Sequence, residues 1–490
     1  MNMADNVTAT VGAVQWWLGN PLSQTMIRFL TRHDSCGYRL DNAFNIYLNG
    51  YNNNDYCWKC QLAGKMLEWT CHRGGSLFGL NENDIRNALS QPGFRKGLKN
   101  VLEGFAQYGV TLPQKLNAPF LVVWDITHAC NLRCKHCYQN AGKPLSDELS
   151  TEEALALVDQ LAEIGVVALS FSGGEPLMRK DIFDIAARAH DYDIYISCAT
   201  NGTLITPEVA HRMKDSGIEY VEISLDGPNP QSHDSFRGVP GAFERTLSGI
   251  RACVDEGLYT AVASTATRDT CHQIPEIYEL SKELGVRRLM CFNFVPTGRG
   301  IQMIDQDLEP EQREKLLQFL LRHNGIEGEP DALSTAPQFA RVAIEDCPTG
   351  MALGHFYYGK HFSSSKTKAL ADFIGGCGAG RLYCSIEPNG DVQPCVFMPI
   401  RLGNLREKSF LEIWHESLVL QQLQDRTSLK DHCGSCENKF ICGGCRARAW
   451  AYYGDLSAPD PGCINNKDRW DELIQQQREE LTLSSEPKKN

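Results

Sequence analysis

The chain has 490 residues, a formal net charge of -12, 42% hydrophobic and 22% charged residues, as expected of a globular protein with room for several domains of ~100–200 residues. The acidic balance excludes nucleic acid as the main partner, which would need a dominant basic footprint, and no run approaches the ~20 apolar residues of a membrane-spanning helix. No secretory pattern opens the chain, so a cytoplasmic location is expected, and twenty cysteines in that reducing compartment point to metal or iron–sulfur ligation rather than disulfides.

Residues 1–116 read as a mostly helical N-terminal module of unknown role. The stretch "AVQWWLGNPLSQTMIRFLTRH" gathers Trp16, Trp17, Leu22, Met26, Phe29 and Leu30. It suits a helix docked on its own core and broken at Pro21, or alternatively a peripheral membrane contact or substrate-channel cap. Downstream, Cys36, the Cys57 and Cys60 pair of "CWKC", Cys71 and His72 supply enough ligands for zinc or another cluster. Their long, uneven gaps leave a metal site and structural or free thiols equally open.

From 119 to 295 short apolar runs alternate with helical patterns: "PFLVVWDI", "VVALSFS", "DIYISCAT", "YVEISLD", "TAVASTAT" and "RLMCFNFV". Continuous apolar strands joined by crossover helices predict a parallel sheet with helices outside, and six of them a partial barrel. Several strands run into the turns "SGGEP", "TNG", "SLDGPNP" and "PTGRG". In such folds ligands bind at the carboxyl ends of the strands.

The first strand is followed by "HACNLRCKHCYQN", with Cys130, Cys134, Cys137 and then Tyr138. Three thiolates on one loop suit a four-iron cluster with one iron left open. A zinc site completed by His128 or His136, or clustered free cysteines, are the alternatives. Residues 306–370 carry weaker signals, a helix in "LEPEQREKLLQFLLRHNG" and an exposed loop in "HFSSSKTK", and read as a bridge. From Cys377 the chain reads "CGAGRLYCSIEPNGDVQPC", then "CGSCENKFICGGC", then Cys463 in "DPGC", which a double zinc ribbon would also explain. A frayed tail over 476–490 closes the chain.

The cysteine loop and the strand-end motifs together resemble the radical S-adenosylmethionine (SAM) superfamily. The resemblance implies an α/β fold whose residues 117–305 form a partial (β/α)6 parallel barrel. It implies catalytic cysteines Cys130, Cys134 and Cys137 on a [4Fe-4S] cluster, with Tyr138 as the aromatic residue beside SAM. Gly173, Gly174 and Glu175 are similar to the motif that receives the methionine amino group. Thr200, Asn201 and Ser224 are similar to ribose- and carboxylate-facing positions, and Arg237 would be a fixed cation for the methionine carboxylate. The implied reaction is reductive cleavage of SAM to a 5'-deoxyadenosyl radical that abstracts hydrogen from a substrate C–H bond.

Residues 371–475 resemble the SPASM auxiliary-cluster domain, with Gly390 ahead of Cys395. One departure is "CGGC", with two residues between its cysteines where the common pattern has three. Position by position, Cys377, Cys384, Cys395 and Cys445 would hold one auxiliary [4Fe-4S] cluster and Cys433, Cys436, Cys442 and Cys463 the other, both closed. Enzymes with this module make a peptide or protein side chain the leading substrate. "GGCRARAW" through "DPGC" is similar instead to heme d1 and alternative heme biosynthesis enzymes, which modify or decarboxylate tetrapyrrole side chains, and a long-chain lipid is a third option. A small electron donor such as ferredoxin or flavodoxin is the implied partner. A multi-cluster electron carrier or scaffold is the non-enzymatic alternative.

Overall fold

A computed structural model describes residues 19–50, 56–78, 81–346, 351–353, 356–358 and 375–485. Its centre is a sheet of ten strands. Seven run through the middle of the chain: β1 (Leu121–Thr127), β2 (Ala168–Gly173), β3 (Tyr195–Thr200), β4 (Ile218–Ser224), β5 (Tyr259–Ala266), β6 (Arg288–Asn293) and β7 (Asp331–Ser334). All seven are parallel and adjacent in chain order. The six apolar runs read from the sequence are the first six strands, and the bridging segment adds the seventh.

The cysteine-rich domain is not a separate layer. Its strand β8 (Tyr383–Ile386) pairs in parallel with β1, Ser385 opposite Val123 and Ile386 opposite Trp124. The short antiparallel strands β9 (Asp391–Gln393) and β10 (Gly403–Asn404) complete that edge.

Alternation along the strands separates two environments. Val122, Trp124, Leu169, Phe171, Ile196, Val221 and Ile223 face the crossover helices in one continuous core. The buried aromatic pair Trp124 and Phe171 stabilises this layer by about 1.5–3 kcal/mol per side chain. The intervening residues, including Asp125, Ser172, Glu222 and Ser385, face the barrel interior. Crossover helices begin where the sequence caps them: Thr151–Glu163 starts at Ser150, whose hydroxyl accepts from the Glu153 amide while Glu153 reaches back to the Ser150 N–H. Such a box contributes about 1 kcal/mol.

The N-terminal module is helical: α1 (Pro21–Leu30), α2 (Arg39–Asn49), α3 (Trp58–Phe78), α4 (Glu82–Ser90) and α5 (Pro92–Tyr108). Its own small core includes Leu30, Leu40, Phe44, Tyr47, Ala63, Leu67 and Leu89. Pro21 does not break the first helix but starts it, at a position where its missing N–H costs nothing, under the Asn20 cap. Phe29 and Leu30 are spent on this core, whereas Leu22 is 72% exposed. Trp16 and Trp17 lie outside the described residues, as does "HFSSSKTK". No helix of the described residues is long and apolar enough to cross a membrane.

Helix α5 docks the module on the amino-terminal ends of the strands. Asn100 exchanges hydrogen bonds of 2.7 and 3.0 Å with Ala118, Lys96 donates to the Tyr192 carbonyl, and a Cβ on Gly97 would stand 3.0 Å from the Phe120 ring. The face carrying the cysteine loop is at the opposite end.

Candidate active site

The loop after β1 is held from three sides. Its Arg133 and Lys135 amides donate to the carbonyls of Arg237 and Phe236, at 3.1 and 3.0 Å. From the turn after β6, Arg299 donates its Nε to the Cys134 carbonyl at 2.7 Å and its amide to the Cys137 carbonyl at 2.9 Å. From the turn after β2, the Glu175 amide donates to the Ala129 carbonyl at 2.7 Å. The Leu132 and Ala141 amides point at the sulfurs of Cys130 and Cys137, at 3.5 and 3.4 Å.

The three sulfurs do not converge on a single point. Among the described residues only Cys36, Cys57 and Cys60 bring three metal-ligand atoms within 4.8 Å of one another. The wider spacing of Cys130, Cys134 and Cys137 fits a cluster, in which each thiolate takes a different iron, and backbone N–H···S bonds are among the features that tune such clusters. Burial pushes the Cys130 thiol up to about 11, and a bound metal favours the thiolate.

Gly173 and Gly174 are required by this loop. A Cβ on Gly173, whose φ is +115°, would meet the Thr127 carbonyl oxygen at 2.5 Å, and one on Gly174 would meet that of Ala129 at 2.2 Å. The glycines let β2 press its backbone against the cysteine loop. Glu175 is fully buried, and burial raises its pKa, against the hydrogen bonds it accepts. Its two oxygens accept from Thr200 Oγ1 at 2.7 Å, the Asn201 amide at 2.8 Å and the Leu177 amide at 3.2 Å. The Asn201 side chain in turn donates to Asn131 of the loop at 2.8 Å. Thus Glu175, Thr200 and Asn201 are joined in one network that ties the ends of β2 and β3 to the loop. Ser224 ends β4 half-buried, with Ala263 beside it.

Arg237, expected as a fixed cation for the methionine carboxylate, has an acidic partner within the protein. It is buried against Asp226, with 2.5 Å between Nη2 and Oδ2, and its Nη1 donates to the Cys134 sulfur at 3.7 Å. Burial opposes ionisation of Asp226, but Arg237, His136 and the Thr265 amide more than offset it and hold the carboxyl below its ordinary range. Arg237 therefore stands behind the cysteine loop as a counter-charge, its place determined by Asp226. Asp226 escapes sequence reading because an aspartate in "SLDG" is indistinguishable from an ordinary turn residue.

Tyr138 joins a second polar group, whose strand residue Asp125 belongs to no motif in the sequence. The Tyr138 hydroxyl donates to Asp125 at 2.9 Å and lies 2.9 Å from Ser172 Oγ. The Gln139 amide bridges Asp125 and Glu387 at 2.6 and 2.9 Å. Burial, and then the neighbouring Glu387, push the Asp125 carboxyl well above its usual range. Tyr138 also packs edge-on against Phe397, at 5.2 Å between ring centres. Glu387 and Phe397 come from the cysteine-rich domain, so that domain walls the interior beside the loop.

In that domain Cys377, Cys395 and Cys445 share one small core. Cys384 does not join them. Strand alternation turns it into the barrel's outer core with Ile386, and it is Tyr383, one residue earlier, whose hydroxyl lies 2.9 Å from the Cys395 sulfur. Cys384, expected as the fourth ligand of this set, thus lies in a different part of the core from the other three. Cys433, Cys436, Cys442 and Cys463 line one small pocket. Around both groups Arg381, Arg426, Arg446 and Arg448 are fully buried. Arg426 and Arg446 spend donors on carbonyls and sulfur: Cys377 O at 2.6 Å, Ala458 O at 2.7 Å and Cys433 Sγ at 3.9 Å. Arg448 pairs with Asp307 and Asp460; for Arg426 and Arg446, thiolate-bound clusters would provide the anion that buried guanidinium charge needs, so this donor set fits iron–sulfur groups.

Comparison with known proteins agrees. The model of the radical SAM superfamily matches residues 124–281, and that of the SPASM iron–sulfur cluster-binding domain matches 377–437. An AdoMet-dependent heme synthase of Methanosarcina barkeri is 37% identical over 350 residues, 71% of this chain and 97% of the relative. The chain belongs to the radical SAM superfamily. A second relative of this radical SAM enzyme, the mycofactocin maturase MftC of Mycolicibacterium smegmatis, is 31% identical over 71% of this chain and 83% of its own. The fold is that of Streptococcus suis SuiB, crystallised with its precursor peptide SuiA: TM-score 0.61 at 16% identity, covering 86% of this chain and 92% of SuiB. As a radical SAM protein with a SPASM domain, it binds SAM, a [4Fe-4S] cluster and auxiliary iron–sulfur clusters. SAM and the [4Fe-4S] cluster, when bound, would supply radical chemistry, and the chain's own residues would position the reacting groups and exclude water.

Proposed function

We propose that this enzyme abstracts hydrogen from a side chain of a carboxylated iron tetrapyrrole, in a step leading towards heme. The observation carrying this reading is the 37% identity that extends over 97% of a heme synthase, a likeness of the whole enzyme rather than of its barrel alone. In this reading Cys130, Cys134 and Cys137 hold the cluster whose open iron takes the methionine end of SAM. The Gly173–Gly174 edge, Tyr138 and Ser224 border SAM, while Glu175, Thr200, Asn201 and Arg237 keep the loop in position. Cys377, Cys395 and Cys445 hold one auxiliary cluster, and Cys433, Cys436, Cys442 and Cys463 the other. A ferredoxin or flavodoxin is the proposed electron donor. A peptide substrate is the second reading, favoured by the mycofactocin maturase relative.

The test is anaerobic incubation of the reduced holoenzyme with SAM and iron-coproporphyrin. The expected result is 5'-deoxyadenosine formed in proportion to loss of tetrapyrrole carboxyl groups, followed by mass spectrometry. SAM cleavage that leaves the tetrapyrrole unchanged but modifies a peptide would move the assignment to the second reading.

A further inference from the structure

The N-terminal module contains a cysteine group of a different kind from those in the barrel and the SPASM domain. Cys36 sits in the tight turn between the two-residue strands His33–Asp34 and Gly37–Tyr38. Cys57 immediately precedes α3, and Cys60 lies in its first turn. The fold brings these distant positions together, with Cys36 Sγ 3.2 Å from Cys57 Sγ and 3.3 Å from Cys60 Sγ, and 3.6 Å between the last two. We propose that Cys36, Cys57 and Cys60 bind a single zinc ion, with the Asp34 carboxylate beside them as part of the surrounding charge.

The spacing decides between the possible occupants. Thiolates at ~2.3 Å from one tetrahedral zinc stand about 3.8 Å apart, a few tenths of an ångström beyond the distances seen here. A four-iron cluster needs its cysteines farther apart, one on each iron, as in the Cys130 loop. A disulfide would join two of the sulfurs at ~2.05 Å and leave the third unused.

The surroundings suit a divalent ion. Asp34 Oδ2 lies 4.0 Å from the Cys57 sulfur, and it is steadied by Arg39 at 2.7 Å and Lys59 at 3.5 Å. One divalent ion together with Arg39 and Lys59 neutralises three thiolates and this carboxylate. The Asn42 side-chain amide donates to the Cys60 sulfur at 3.4 Å and to the Cys36 carbonyl at 2.9 Å, an outer contact of the sort that orients metal ligands. Cys71 and His72 do not take part, being about 16 Å farther along the same helix at 1.5 Å per residue. The ion would staple the hairpin to α3, in a module whose core is small and gains most from such a clasp.

The whole chain is purified anaerobically from zinc-supplemented cells, and zinc and iron are quantified together, with zinc-edge X-ray absorption on the same sample. The expected result is about one zinc per chain in a sulfur-dominated shell at ~2.3 Å. It should survive dialysis against EDTA, remain in Cys71→Ser, and be lost from Cys57→Ser/Cys60→Ser with iron unchanged. Wild-type protein without zinc, zinc bound by nitrogen and oxygen alone, or a Cys36–Cys57 disulfide after anaerobic alkylation would each overturn the proposal. So would a loss of iron in step with the double substitution. The absorption measurement needs no variant, so misfolding of the double mutant leaves the test intact.

Discussion

Gly174→Ala puts the positioning of the cysteine loop to a quantitative test. The added Cβ would stand 2.2 Å from the Ala129 oxygen, 2.7 Å from its carbonyl carbon and 2.9 Å from the His128 oxygen, where ordinary contact begins at 3.4 Å. These neighbours are backbone, so no side chain can swing aside. Relief requires β2 and the loop to part by about 1 Å, and misplacement of that size costs about 100-fold in rate. Parting also stretches the 2.7 Å hydrogen bond from the Glu175 amide to Ala129 and the 2.8 Å bond from the Gly174 amide to Thr127. The associated loss of stability is about 1–3 kcal/mol, the usual cost of overpacking. The assay is 5'-deoxyadenosine production by the dithionite-reduced enzyme with SAM, alongside iron content and thermal unfolding. Gly142→Ala is the control in the same loop, because its Cβ would meet only the Arg133 guanidinium, at 3.7 Å. A Gly174→Ala rate within twofold of wild type would refute the claim that backbone contact between β2 and the loop positions the cluster.

Three other substitutions test particular placements. Cys384→Ala should retain the wild-type iron content, whereas Cys395→Ala should lose an auxiliary cluster, about four irons; equal losses would put Cys384 back among the ligands. Glu222, on the interior face of β4, is pushed up to about 7 by burial, against the opposing effects of Tyr220 and Arg288. With its folded pKa raised, the native state holds a proton that the unfolded chain has released, so the stabilisation is complete below about 4.5 and is lost as pH rises to 7. From pH 5 to 8 wild type should lose about 2 kcal/mol relative to Glu222→Gln, after allowance for access from the barrel interior. Parallel unfolding curves for the two proteins over that range would contradict this.

The parallel strands were legible because strands covered on both faces leave continuous apolar runs, and "VVALSFS" or "TAVASTAT" have no alternative as amphipathic helices. The cysteine loop was legible because its ligands are local, three thiolates within eight positions. What escaped was everything settled by tertiary pairing. Cys384 falls at an expected ligand position, and alternation along β8 places it in the outer core while Tyr383 reaches the Cys395 sulfur. Arg237 has the right chemistry for a carboxylate, yet Asp226, eleven positions upstream, already occupies it. Cys36 and "CWKC" offer no usable spacing, because a hairpin and a helix, not a loop, bring them together.

The pairing of β8 with β1 has a consequence for how the enzyme can be taken apart. The strand leading to the Cys130–Cys137 loop and the one in the Cys377–Cys395 segment are neighbours in one hydrogen-bonded ladder. With clusters held by the proposed cysteines, the separation between the two iron centres would be locked by sheet register and not tuned by swinging one domain on a hinge. Removing residues 375–485 would also strip β1 of its neighbour and expose a long apolar edge, which invites aggregation. The barrel and the domain that follows it are two stretches of sequence but a single sheet, to be expressed, reconstituted and inherited as a unit.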